Sequence, residues 1–167
     1  MNNQLKFELR GDREIVLTRH FAASPQLLWK AYTDCAHLVH WWGPHGWELT
    51  HCKLDLRPGG VWHYCMAGEY EGEVMESWGL ATFEKIEAPH HLAYGETFSD
   101  KDASIIPDMP NMAITVQFEA VDGGTLMTSV TLFDSAEARQ ETLNMGVEAG
   151  ITEAWDRLNT YLPQMRD

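Results

Sequence analysis

The 167-residue chain is poor in cysteine, poor in basic residues and free of long apolar runs. Its three cysteines, Cys35, Cys52 and Cys65, are odd in number and form no CxxC pair. Neither a disulfide framework nor a zinc clip is therefore expected. Cys52 and Cys65 read as inert core thiols, and a reducing, cytoplasmic setting suits the chain best. Lysine and arginine number 12 against 25 aspartates and glutamates, a formal charge of −13. That balance excludes the basic face that phosphate contacts need and disfavours an anionic membrane surface, so neither nucleic acid nor membrane is expected as a partner. No apolar run approaches the roughly 20 residues that span a bilayer. The N-terminal MNNQLKFELRGDRE also lacks the apolar segment of a signal peptide. Catalytic motifs are missing too: there is no GxSxG, P-loop, GxGxxG or HExxH, and Ser104 and Ser129 have no recognisable base nearby in sequence. Neither a nucleophilic hydrolase nor a bound cofactor is expected.

What is present is aromatic. The stretch AHLVHWWGPHGWELTHCKLDLRPGG, residues 36–60, holds Trp41, Trp42 and Trp47, three of the chain's seven tryptophans, beside a chain reversal. Hydrophobic residues make up 44% and charged residues 22%, the balance of a folded globular chain rather than a disordered one. Neither a repeat nor a linker divides it, so residues 1–167 read as a single domain with a core from about 13 to 162.

The pattern predicts the elements in order. Arg13–Phe21 is rich in β-branched and aromatic residues and reads as a first strand. Ser24-Pro25 is a helix cap followed by proline at the first helical position, opening a helix with Leu28, Trp29 and Tyr32 on one face. A second short helix, Ala36–Trp42, stops at Gly43-Pro44. Trp47–Leu56 and Val61–Met66 flank Pro58-Gly59-Gly60 as a hairpin. A long strand within Gly72–Ile86, interrupted near Gly79, leads through a turn at 88–91 to a strand at Leu92–Phe98. Ser99–Pro110 reads as a loop. Met112–Val121 alternates cleanly, with Met112, Ile114, Val116 and Phe118 on one face, and turns at Asp122-Gly123-Gly124 into Thr125–Phe133. Ser135–Leu162 reads as one long helix with an apolar stripe that includes Leu143, Val147, Ile151, Trp155 and Leu158. Gly146 and Gly150 lie along that stripe, each costing about 1 kcal/mol of helix propensity against alanine. Close approach to a sheet, or a space left open beside the helix, would account for them. Strands gathered in the middle and helices at the ends mean α+β, with the last helix covering one face of the sheet.

Trp41-Trp42-Gly43-Pro44 followed by Asp55-Leu56-Arg57-Pro58-Gly59-Gly60, together with SPQLLWKAYTD and the terminal EAWDRLNTYL, resembles the SRPBCC (START/birch-pollen-allergen-like) superfamily. Within it the chain is similar to the branch named after the activator of heat-shock-protein ATPase. The resemblance runs from about Arg13 to Leu162. It implies a helix-grip fold: a curved antiparallel sheet of about seven strands round a long C-terminal helix, two short helices between strands 1 and 2, and an internal cavity for apolar ligands. Relatives include lipid carriers, polyketide aromatase/cyclases and co-chaperone domains. The heat-shock activator carries a separate N-terminal domain for which this chain leaves no room, which puts the co-chaperone reading last.

Candidate residues follow from both lines. Trp42, Trp62, Tyr64, Trp78, Tyr94, Phe118 and Trp155 can wall a pocket, although core packing is the simpler reading for any one of them. Gly146 and Gly150 can leave room for a ligand. Glu96 shares a strand face with Leu92, Tyr94 and Phe98. Buried, it would have a raised pKa and can serve as an acid or base, which makes it the one candidate catalytic residue; at a strand end it would simply face solvent. His63 lies in the opposite phase to Trp62 and Tyr64 and is expected to face outward. Glu69, Glu71, Glu73 and Glu76 read as a solvated edge. The eight histidines include no metal-binding spacing, so no metal is expected. Three functions fit: a binding protein for a small apolar or aromatic molecule, a polyketide cyclase/dehydratase-like enzyme, and a chaperone-related interaction module. A homodimer through an exposed strand edge is compatible with the fold.

Overall fold

The structure, a computed structural model, describes residues 4–165; the first three residues of the N-terminal stretch read above for a signal peptide lie outside them. The elements in chain order are β1 (Lys6–Arg10), β2 (Glu14–Phe21), α1 (Pro25–Thr33), α2 (Cys35–Leu38), β3 (Trp47–Leu54), β4 (Val61–Tyr70), β5 (Glu73–Glu87), β6 (His91–Phe98), β7 (Met112–Val121), β8 (Gly124–Phe133), α3 (Ala136–Asn144) and α4 (Val147–Tyr161). The strands form one antiparallel sheet in the order β1-β2-β8-β7-β6-β5-β4-β3. It has eight strands where about seven were expected. The addition is β1, an edge strand of mostly exposed residues that packs against the core through Phe7.

Alternation along the strands sorts the residues onto two faces. The inner face carries Leu17 and Phe21 from β2, Trp62 and Tyr64 from β4, Phe83 from β5, Tyr94 from β6, Ile114 and Phe118 from β7 and Met127 from β8. All of these are buried together with Trp155 and Leu158 of α4. The α1 cap is as predicted: the Ser24 hydroxyl accepts from the Leu27 N–H at 3.2 Å, and Pro25 opens the helix. Leu28, Trp29 and Tyr32 then pack inward, with Tyr32 edge-on to Phe118.

Four expectations are corrected. First, β5 runs without interruption through Gly79; its irregularity falls between Phe83 and Lys85. Second, α2 ends at Leu38 rather than Trp42, and residues 39–46 are turns that fold Trp41 wholly into the core, its indole donating to the Ala31 carbonyl at 3.0 Å. Third, the C-terminal helix is broken. Gly146 takes a φ of +84°, a left-handed conformation that closes α3 and opens α4, and glycine adopts it without the Cβ penalty. Fourth, Cys35 and Cys52 form a disulfide, with Cα atoms 5.8 Å apart, that pins α2 to β3. Pairing between a helix and a strand leaves no short-spaced signature, and it removes cysteine content as an argument for a reducing compartment. Cys65 alone is free, and burial pushes its thiol pKa up, which suits an unreactive side chain. No helix among the described residues is long and apolar enough to cross a membrane.

Candidate functional site

The inner face of β4, β5 and β6 is built round small side chains. Trp62 pairs with Ala81, which pairs with Glu96, so the three lie in one row across the sheet. In the next row Tyr64 pairs with Gly79, where a Cβ would come within 2.5 Å of the Tyr64 ring. Gly79 and Ala81 therefore leave the middle strand low. Tyr64 leans across it and donates its hydroxyl hydrogen bond to Glu96 Oε1. A larger residue at 79 would occupy the space of the ring.

Glu96 thus projects from a central strand into the interior and does not face solvent from a strand end. Burial pushes its pKa up to about 7, and the Tyr64 hydrogen bond offsets this only in part. The Tyr64 hydroxyl bonds it directly, and the hydroxyls of Tyr32 and Tyr94 lie near enough to feel its charge. Burial is the main reason that all three titrate far above the usual phenol range, and the negative charge of Glu96 adds to the effect at each. Trp42 stands at the rim of this group, half-buried, with its ring 4.8 Å from Trp62, 5.6 Å from Tyr64 and 6.0 Å from Tyr32. The Trp62 indole is 1% exposed, yet its Nε1 has no hydrogen-bond partner among the described residues. A buried N–H without an acceptor costs a few kcal/mol at most sites, so the gap needs an explanation.

The tryptophan loop is tied to α4 by Glu153, whose Oε1 accepts from the His45 N–H at 3.0 Å, and above all by a residue that the sequence reading passed over. Arg157 of α4 donates to the carbonyls of Gly43 at 2.7 Å, Trp47 at 3.1 Å and Pro44 at 3.2 Å, with a longer contact to His40. The signal was weak, since an arginine on the polar side of a helix looks like solvated surface. Tyr32 was read as core and not as a polar partner, because a helical tyrosine at apolar spacing does not reveal where its hydroxyl goes.

The structure brings together Trp42, Trp62, Tyr64, Tyr94 and Glu96. Phe118 lies in the same core and packs on Trp29 and Tyr32; Trp155 packs on Phe21 and its indole also reaches the Tyr32 hydroxyl, so it adjoins the group one step from the glutamate. Gly146 is exposed at the helix joint, and nothing lies within 4 Å of a Cβ built there or at Gly150, so close approach to the sheet is not the reason for either glycine. Trp78 is on the wrong side. It pairs with Cys65, one residue out of phase with Gly79, and so faces outward.

On that outer face Trp78 stacks on His63 with centroids 5.1 Å apart, and His51 packs against both. His63 faces out as predicted but is buried: the 99–110 loop folds over it, and its Nε2 lies 3.0 Å from the Asp100 carbonyl. Two shallow grooves of about 570 and 490 Å³ flank this stack, one including Glu76 and Met109, the other Lys53 and Arg57. Of the acidic edge expected at 69–76, all four glutamates are exposed. Among the described residues no three His, Cys, Asp or Glu side chains converge as a metal site would require.

A curved antiparallel sheet gripping a C-terminal helix, with aromatic side chains and one carboxyl between them, is the helix-grip architecture. The chain belongs to the family of Activator of Hsp90 ATPase homolog 1-like proteins, whose model matches residues 22–163, and with it to the SRPBCC superfamily. Similar solved structures are bacterial. A crystal structure of a Mycobacterium smegmatis protein is 32% identical, with 98% of each chain aligned and a TM-score of 0.84. A solution structure from Arthrobacter aurescens is 27% identical over 97% of this chain and 93% of that one, TM-score 0.85. One from Rhodobacter sphaeroides is 25% identical over 97% and 100%, TM-score 0.83. No curated protein matches the chain significantly.

Proposed function

We propose that the protein binds a small, mainly apolar or aromatic molecule between the inner face of β4–β6 and α4, with Glu96 as its polar anchor. The observation that carries this reading is Glu96 itself. A carboxyl in a well-packed core costs several kcal/mol, and stability alone favours an apolar side chain there. Yet Glu96 is enclosed by aromatic rings while keeping some accessible surface, and it has one hydrogen-bond donor in Tyr64 and no counter-charge. Trp62 in the same row contributes an indole N–H without a partner among the described residues. Few placed polar groups in apolar surroundings are the usual make-up of a ligand site. Native mass spectrometry of protein from its own host, with solvent extraction, tests the reading: a stoichiometric small molecule is expected, released by Trp62→Ala. Protein that carries nothing and takes up no apolar fluorescent probe would move the function to the surface, towards an interaction module.

A second reading has an observation of its own. A carboxyl titrating at about 7 beside a tyrosine hydroxyl is suited to general acid–base work, as a cyclase or dehydratase requires. Turnover of a bound polyketone that follows a pKa near 7 and disappears in Glu96→Gln would support it; unchanged turnover in that variant would end it.

A further inference from the structure

Glu96 has no cationic partner. Among the described residues it accepts one hydrogen bond, from Tyr64, and no lysine, arginine or histidine pairs with it. The neighbouring elements offer no counter-charge either. From β4 comes Tyr64, from α1 Tyr32 and from β6 itself Tyr94; β5 presents Gly79 and Ala81, and β7 presents Met112. The buried guanidinium of the chain, Arg19, is committed elsewhere: it pairs with Asp156 at 2.7 Å and lies 5.2 Å over the Phe21 ring. Arg157 is spent on the carbonyls of the tryptophan loop. The protein thus compensates its other interior charge and leaves this one open.

What surrounds the open charge is a set of electron-rich rings. Trp42, Trp62, Tyr64 and Tyr94 touch one another in sequence, edge or tilted, with Trp42 half-buried at the rim. Ring faces attract a cation electrostatically, and more strongly once it is desolvated. A carboxylate enclosed by such rings satisfies both requirements of an organic cation, a counter-charge and π-faces, and water is a poorer competitor there than at the surface.

We propose that the molecule bound at this site is an organic cation, a protonated or quaternary amine on an apolar body, with its charged end between the Glu96 carboxylate and the rings of Trp42 and Tyr64. This rests on the reading of the inner face as a ligand site and names the class of ligand. The partnerless Trp62 N–H, in the same row as Glu96, adds that the apolar body carries a hydrogen-bond acceptor.

The test uses the intact protein and two isosteric probes, benzyltrimethylammonium and its neutral carbon analogue neopentylbenzene, titrated by calorimetry and tryptophan fluorescence. Neither probe titrates, so any pH effect comes from the protein. At about pH 8.5 the cation should bind at least about tenfold more tightly than the neutral probe. At about pH 5.5, with Glu96 protonated, the preference should largely vanish. Glu96→Gln should abolish it at both pH values. Trp42→Leu, which removes a half-buried ring face and leaves Glu96 and its Tyr64 hydrogen bond in place, should shrink the preference severalfold and serves as the second variant should Glu96→Gln fold poorly. An undiminished preference there overturns the ring contact. Equal affinity for the two probes, or a preference that survives Glu96→Gln, overturns the cation and leaves the ligand site standing. Binding of neither probe overturns both.

Discussion

The two faces of β4, β5 and β6 bury comparable aromatic side chains to different ends. Outside, Trp78 and His63 stack under the 99–110 loop, and the histidine finds a partner in the Asp100 carbonyl. Inside, Trp62 and Glu96 lie in one row; the Trp62 N–H has no partner among the described residues, and Glu96 has the Tyr64 hydroxyl but no counter-charge. The outer cluster is a lid contact that closes on itself. The inner cluster is left with a partnerless indole N–H and a carboxyl without a counter-charge, and a protein that only needed to be stable had no reason to place both there.

The largest effect should separate the faces by stability. Trp62 is 1% exposed at the centre of the inner face, and Trp62→Ala should cost about 3–5 kcal/mol in denaturant unfolding. Trp78→Ala removes a half-exposed ring from a surface stack and should cost about 1–2 kcal/mol. Equal costs would mean that the outer stack is a second core and that the contrast fails.

Next comes the charge. Glu96 has a folded pKa of about 7 against an ordinary value of 4.5, so between these values the folded chain holds a proton that the unfolded chain releases. Unfolding free energy contributed by Glu96 is therefore greatest below about pH 4.5, falls as pH rises towards about 7, and stays low above it, by on the order of 3 kcal/mol at most. Urea midpoints at about pH 5 and about pH 8 should show this decline in the wild type and lose that part of it in Glu96→Gln. A variant whose pH profile overlays the wild type would show that the carboxyl is solvated.

Much of this frame could be read from the residues. The β7–β8 hairpin was legible because Met112–Val121 alternates without a break and Asp122-Gly123-Gly124 closes it. The α1 cap was legible because Ser24-Pro25 is local chemistry. Period two along β6 put Glu96 in phase with Leu92 and Tyr94 but left open whether it faced solvent from a strand end, which only the neighbouring strands decide. Features that depend on distant parts of the chain were not legible. The Cys35–Cys52 bond joins residues 17 apart across a helix and a strand. Trp78 was assigned by its aromaticity when its phase relative to Gly79 should have decided the matter. Arg157 works on carbonyls more than 100 positions upstream. Its removal is the third prediction: Arg157→Met should cost about 2 kcal/mol by leaving the Gly43, Pro44 and Trp47 carbonyls without that donor. It should also loosen ligand uptake through Trp42, whereas Lys53→Met on the outer face should change neither.

The smallest effects are the most discriminating, because two glycines four residues apart in a helical pattern should respond with opposite signs. Read as helix interior, Gly146 and Gly150 should both gain about 1 kcal/mol on replacement by alanine. Gly150 sits within α4 at ordinary helical backbone with nothing within 4 Å of a Cβ, so Gly150→Ala should stabilise by roughly that amount. Gly146 has just as much room, but its φ of +84° is the left-handed bend that turns α3 into α4. An alanine there pays about 1 kcal/mol or more for the backbone and should destabilise. Paired thermal unfolding of the two variants decides the point: stabilisation by both would mean that the helix runs straight through residue 146, and the bend that sets α4 against the inner face would have to be given up.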